Sequence, residues 1–285
     1  MAEIIDGKIV SKSVRSDIKQ EVQAFSDKTN KTPGLAVILV GDDPASAVYV
    51  RNKHKACEEV GINSIQIYLP KETSEEELIK KIKELNDDES VNGILVQLPL
   101  PQTINEERVL LAISPAKDVD AFHPMNVGHI MIGKYTFLPC TPAGIMELLK
   151  FYNIEVRGKK CVIVGRSNIV GKPMALLLLE KNGTPTICHS KTANLTEETL
   201  NADILVVAIG RPKFIKADQV KDGAVVIDVG INRLPDGKLC GDVDFDEVSE
   251  KASFITPVRG GVGPMTITML LKNTLTAAKE QNNIK

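Results

Sequence analysis

The sequence predicts an α/β chain of two domains, and three observations carry that expectation. Short β-branched apolar runs alternate with stretches of helical period along most of the length. Glycine and proline punctuate the ends of those runs, as strand-to-helix turns require. A chain of 285 residues is long enough for two cores of ordinary size. The expected division joins 1–140 and 266–285 in an N-terminal αβα domain and leaves 141–265 as a Rossmann-type domain on a parallel sheet.

Residues 9–27 read as a helix, closed by the Pro33-Gly34 break. Leu35–Gly41 is a buried strand, and Asp43–Gly61 is the next helix. Asp43 suits its N-cap, Pro44 its first position and Gly61 its left-handed stop. Ser64–Pro70 alternates as a strand, and Ser74–Asp88 opens on a Ser-x-x-Glu capping box. Gly93–Pro101 reads as a third strand ending in a proline-punctuated loop. Beyond Cys140, a helix over Pro142–Tyr152 takes Pro142 as its first residue. Lys159–Gly165 is a strand, Arg166–Pro173 a turn and Met174–Lys181 a helix. The runs TPTICHS, ADILVVAIG, GAVVIDVG and ASFITPV recur as short buried strands, the pattern of a doubly wound nucleotide-binding domain. Thr266–Gln281 reads as a last helix returning to the first domain.

Composition narrows the function classes. A net charge of -2 and the absence of Trp give no reason to expect a nucleic-acid or membrane partner. No apolar run approaches the roughly 18 residues that span a bilayer. The N-terminus MAEIIDGKIV lacks the basic and apolar regions of a signal peptide. Five scattered cysteines without a CxxC, and four histidines without ligand spacing, predict no metal site and a reducing, cytoplasmic setting.

On the helix 43–61, Ser46, Tyr49, Lys53, Ala56, Cys57 and Val60 share one face. The face is small and apolar except at Lys53, which either snorkels to solvent or is a buried amine with a proton to move. Tyr49, one turn earlier, offers a stacking surface. Gln97 at a strand end either satisfies loop backbone or faces a ligand, because carboxyl ends of parallel strands form the binding crevice. In Lys117–Pro124 either Asp118 or Asp120 could cap a turn. The turn after the strand 159–165 places Gly165 and Gly171 where a helix N-terminus can hold a phosphate. It is not GxGxxG. The next strand ends Cys188-His189-Ser190-Lys191-Thr192, with no acid for ribose hydroxyls, whereas Arg166 and Ser167 suit a 2′-phosphate. NADP is therefore favoured over NAD. Gly210, Ile231 and the Gly260-Gly261-Val262-Gly263-Pro264 run would line the same crevice.

Seven runs then carry a family resemblance: YVRNKHKAC, VQLPLP, KDVD, PCTPAG, VGRSNIVGKP, CHSKT and GGVGPMT, in order. With them the chain resembles the bifunctional methylenetetrahydrofolate dehydrogenase/methenyltetrahydrofolate cyclohydrolases, over nearly its full length. The resemblance implies oxidation of 5,10-methylenetetrahydrofolate by NADP and hydrolysis of the methenyl cation to 10-formyltetrahydrofolate, in one cleft between the domains. It implies that Lys53 is central to the water step, Gln97 positions it, Tyr49 stacks along the folate and Asp120 grips the pterin. Ser46, Leu98, Pro99, Gly260, Gly261 and Pro264 join Tyr49 and Asp120 as substrate-side candidates. Gly165, Arg166, Ser167, Val170, Gly171, His189, Ser190, Gly210 and Ile231 are the cofactor-side candidates. A homodimer is implied, and Cys140 needs no role as nucleophile because neither step passes through a covalent intermediate.

Two positions depart from the family pattern. Arg259 replaces a proline in TPVRGGVGP, and Ala121 replaces a glycine after KDVD. Alanine there leads us to expect a negative φ. The alternatives are a monofunctional dehydrogenase with weak cyclohydrolase activity, a non-catalytic NADP-binding protein, and a shikimate-type dehydrogenase of similar plan.

Overall fold

The computed structural model describes residues 1–284. In chain order the elements are β1 (Glu3–Ile4), α1 (Gly7–Thr29), β2 (Gly34–Val40), α2 (Pro44–Val60), β3 (Asn63–Leu69), α3 (Glu75–Asp87), β4 (Gly93–Val96), α4 (Glu106–Ala112), α5 (Pro124–Met131) and α6 (Cys140–Phe151). Then follow β5 (Lys160–Val164), α7 (Gly171–Glu180), β6 (Thr184–Cys188), α8 (Leu195–Leu200), β7 (Ile204–Val207), β8 (Val225–Asp228), β9 (Asn232–Arg233), β10 (Leu239–Cys240), α9 (Phe245–Ser249), β11 (Phe254–Ile255) and α10 (Val262–Gln281).

The chain forms two compact units. One comprises Ser13–Cys140 with Ile267–Lys285, the other Met1–Lys12 with Thr141–Thr266. The expected assignment of 1–140 to a single domain fails for the first twelve residues. The reason is β1: Glu3 and Ile4 pair in parallel with Phe254 and Ile255, which adds a strand to the second unit's sheet.

In the first unit a three-stranded parallel sheet runs in the order β3-β2-β4. All seven residues of β2 are buried, as expected of a central strand covered on both faces. The core joins Ile38 and Val40 of β2 with Ile94 and Val96 of β4 and with Leu78 and Ile82 of α3. The α3 terminus is the expected capping box: the Ser74 hydroxyl accepts from Glu77 N, and the Glu77 carboxylate accepts from Ser74 N. Asp43 caps α2 and Gly61 ends it at φ +83°. The β4 strand is shorter than expected. It stops at Val96, after which Gln97 N donates to Ile38 O, and the Leu98–Pro99 peptide is cis.

The second unit carries a six-stranded sheet in the order β1-β11-β8-β7-β5-β6, with every pairing parallel. The order reverses direction between β5 and β7, and such a switch point opens a crevice at the strands' carboxyl ends. Val162, Val164, Leu205, Val207 and Val226 form its core from β5, β7 and β8. An antiparallel β9–β10 hairpin, not foreseen from the periodicity, projects after β8.

Candidate active site

The first unit gathers a set of polar side chains around α2. Ser46, Lys53, Ala56, Cys57 and Val60 are buried along one face, as their spacing requires, but Tyr49 is 39% exposed. Its ring is thus accessible one turn from the lysine. Lys53 is 9% exposed, and its Nζ donates to Gln97 Oε1 at 2.9 Å. Gln97 is itself oriented, because its Nε2 donates to Leu98 O at 2.7 Å and so turns Oε1 toward the amine. Snorkelling is excluded by this burial.

Burial pushes the Lys53 amine below the usual lysine value, and the nearby Asp120 carboxylate pulls back part of that shift. The same burial pushes the Asp120 carboxyl up, opposed by Lys53. Both groups are thereby drawn toward their neutral forms. Each can therefore exchange a proton nearer neutrality than in water.

The two aspartates of the 117–124 loop separate by role. Asp118 Oδ2 accepts from His123 N and Asn126 Nδ2, each at 2.8 Å, which ties the loop to the start of α5. Asp120 faces Lys53 and Cys140. Lys117 serves structure: its Nζ donates to Leu85 O at 3.0 Å and to Asp88 O at 2.7 Å, satisfying carbonyls at the end of α3. Cys140 is buried, its Sγ donates to Val119 O at 3.5 Å, and burial with the Asp120 charge raises its thiol well above the ordinary range. It is a poor nucleophile.

Ala121 corrects an expectation. It is fully buried at φ +58°, not at negative φ, because its N–H donates to Asp118 O at 3.1 Å in the turn that presents Asp120. Sequence reasoning also missed Asn273 of α10. Its buried Nδ2 donates to Val119 O and Leu138 O, each at 2.8 Å, bracketing Asp120 and Cys140. A lone asparagine in an apolar helical run was the available signal.

The second unit holds the cofactor-side candidates. Gly165 lies at φ +137°, and a Cβ there would meet Ala208 O at 2.4 Å. A Cβ on Gly171 would meet Gly165 O at 2.2 Å. Both glycines are therefore required by close backbone approach at the β5/β7 switch point. Arg166 and Ser167 are exposed in that turn, and the Ser167 hydroxyl accepts from Val170 N and Gly171 N. His189 Nδ1 accepts from Lys191 N, with Ser190 exposed between them. Ile231 is 46% exposed after β8. Gly210 is exposed at φ +65°, but its N–H donates inward to Asp242 Oδ2. Gly260 and Gly261 also belong to this unit, in the turn between β11 and α10, and Pro264 lies in the first turn of α10. No cluster of metal-ligating side chains occurs among the described residues.

The comparisons with known proteins agree with this architecture. Residues 5–120 match the tetrahydrofolate dehydrogenase/cyclohydrolase catalytic domain, and residues 139–282 match the NAD(P)-binding domain of the same family. The bifunctional protein FolD of Acetivibrio thermocellus is 60% identical over 284 residues, spanning 100% of this chain and 99% of that one. The Campylobacter jejuni bifunctional FolD structure superposes with a TM-score of 0.96 at 51% identity, covering 98% of this chain and 99% of its own. A Trypanosoma brucei dehydrogenase-cyclohydrolase, solved with NADP cofactor and an inhibitor, gives 0.94 at 39% identity over 98% of each chain. This chain belongs to the tetrahydrofolate dehydrogenase/cyclohydrolase family.

Proposed function

We propose that the chain oxidises 5,10-methylenetetrahydrofolate with NADP and hydrolyses the methenyl cation so formed to 10-formyltetrahydrofolate. The observation that carries the bifunctional reading is the buried Lys53 amine, held by Gln97 and facing Asp120. A chain retaining only the dehydrogenase would have no use for that arrangement.

NADP, when bound, accepts the hydride. The turn 165–171 fits its close approach, Arg166 offers a cation for the 2′-phosphate, and the β6 end carries His189, Ser190 and Lys191 without an acid. Tyr49 supplies a stacking face for the folate, and Ser46, Leu98 and Pro99 are the further substrate-side candidates of this unit. Asp120 offers its carboxyl to the pterin ring.

Hydride loss from the one-carbon bridge leaves a cation, and that charge disfavours a second positive charge on Lys53. In its neutral form Lys53 takes a proton from water as the oxygen adds to the methenyl carbon. That proton then passes to the departing ring nitrogen as its bond to carbon breaks. Water is consumed, one proton is released, and the formyl group remains. Gln97 keeps the amine in register throughout.

A homodimer and a cytosolic location belong to the same proposal. The five cysteines are all unpaired, as in proteins of reducing compartments. The test is a spectrophotometric assay with methylenetetrahydrofolate and either NADP or NAD, beside the decay of methenyl compound alone. Turnover with NADP and accelerated decay are expected. Dehydrogenation without faster decay would favour the monofunctional alternative, and preference for NAD would overturn the role of Arg166.

A further inference from the structure

We propose that Asp242 is a positioning residue for NADP, whose buried carboxylate fills the amide nest at the carboxyl end of β7 and so fixes the loop face that the cofactor meets. The inference rests on the NADP-binding reading of the second unit.

The loop after β7 has the composition of a phosphate-binding turn: Ile209-Gly210-Arg211, with Gly210 at φ +65°. Successive N–H groups in such a turn converge on an anion. Here the anion is already present. Asp242 Oδ2 accepts from Ile209 N at 2.6 Å and Gly210 N at 2.9 Å, while Oδ1 accepts from Arg211 N at 2.8 Å. A fourth donor, Asn232 Nδ2, reaches Oδ1 at 2.8 Å from the start of β9. Asp242 is 0% exposed, so water does not compete for these bonds.

One carboxylate, placed just after β10, therefore ties together the loop that follows β7 and the start of β9. Its neighbours are shaped for it. A Cβ on Gly230 would meet Asp242 Oδ1 at 2.3 Å, so only glycine leaves the carboxylate room. Asp242 N in turn donates to Asp228 Oδ1 at 3.0 Å, and Asp228 N donates to Thr256 Oγ1 at 2.8 Å, extending the network to the loop after β11. The β7 loop borders the β5/β7 switch point, where Gly165 packs against Ala208 O. The consequence is specific. The amides of 209–211 are not free for a cofactor phosphate. NADP meets the opposite face of the loop, whose position Asp242 sets.

Two measurements test this. Amide hydrogen exchange on the intact protein should find Ile209, Gly210 and Arg211 protected before NADP is added, with little further gain afterwards. Protection that appears only with NADP would overturn the proposal, since those amides would then be phosphate ligands. The second is Asp242→Asn, which turns an NH2 group toward donors that previously met oxygen. We expect the NADP dissociation constant, measured by titration calorimetry, to rise about tenfold or more. Cyclohydrolase turnover of methenyl compound without nucleotide should stay within about twofold, because its residues lie in the other unit. Unchanged NADP affinity, or equal loss of both activities in a folded variant, would count against a positioning role. If the variant does not fold, the exchange measurement still decides. Failure of wild-type protein to bind NADP at all would instead sink the cofactor reading.

Discussion

Ala121 adopts φ +58° with its methyl wholly buried, in the turn that presents Asp120. A left-handed L-residue costs roughly 1–2 kcal/mol, and glycine would remove that cost while adding backbone entropy to the unfolded chain. Ala121→Gly is therefore expected to raise stability by up to about 1 kcal/mol, read as a higher urea midpoint at unchanged slope. A lower midpoint would mean that the methyl's packing outweighs its strain. This was the one site position where residue-level reasoning gave the wrong sign. Alanine by itself argues for a negative angle, but the hydrogen bond to the Asp118 carbonyl in the tight return toward α5 sets the angle for whatever residue stands there. The lysine was more legible. An amine on a buried face is costly unless it is used, so Lys53 stood out by residue type, whereas Gln97 as its partner came from the family resemblance and not from the residues alone.

At the scale of elements, Lys117 joins a loop to a helix end. Its amine satisfies the carbonyls of Leu85 and Asp88 from a buried position. Lys117→Met keeps most of the apolar stem but strands both acceptors, so a loss of about 1–3 kcal/mol is expected, measured by denaturant unfolding. A neutral result would show that water replaces the amine. Elements with strong local chemistry were readable from sequence: the α3 capping box and the Asp43 and Gly61 caps of α2 lie where the residues required. Boundaries without such chemistry were not. The α6 helix begins at Cys140, two residues before Pro142, because any position in a helix's first turn tolerates a residue without an N–H. The two-residue strand β1 is too short to show a period, and only its partner β11 defines it. The β9–β10 hairpin carried a signal in Pro235-Asp236-Gly237, a turn triplet between short runs. Asp242 was invisible for a different reason: three of its four donors sit in one loop more than thirty residues earlier, and the sheet order alone brings that loop to it.

For the whole molecule, acid-base balance offers a test of the second unit's buried network. Burial raises Asp228 from 3.8 to about 6, despite three backbone N–H donors. Between those values the folded chain retains a proton that the unfolded chain releases. Its contribution to stability is thus present below about pH 4 and falls as pH rises to about 6, by something on the order of 2–3 kcal/mol. Comparing urea midpoints across pH for wild type and Asp228→Asn should show this component of the slope in the wild type and not in the variant. Parallel slopes would place the proton elsewhere. The two units also divide the chemistry: the Lys53 set lies wholly in one, the β5/β7 switch point wholly in the other. Lesions in one should spare the partner function. The most direct measurement is therefore Lys53→Met, assayed for cyclohydrolase turnover and for NADP binding in the same preparation. A loss of hydrolysis of about a hundredfold or more is expected, the scale of a missing acid-base group, with NADP affinity unchanged. Full cyclohydrolase turnover by that variant would mean that Lys53 moves no proton in the hydrolytic step.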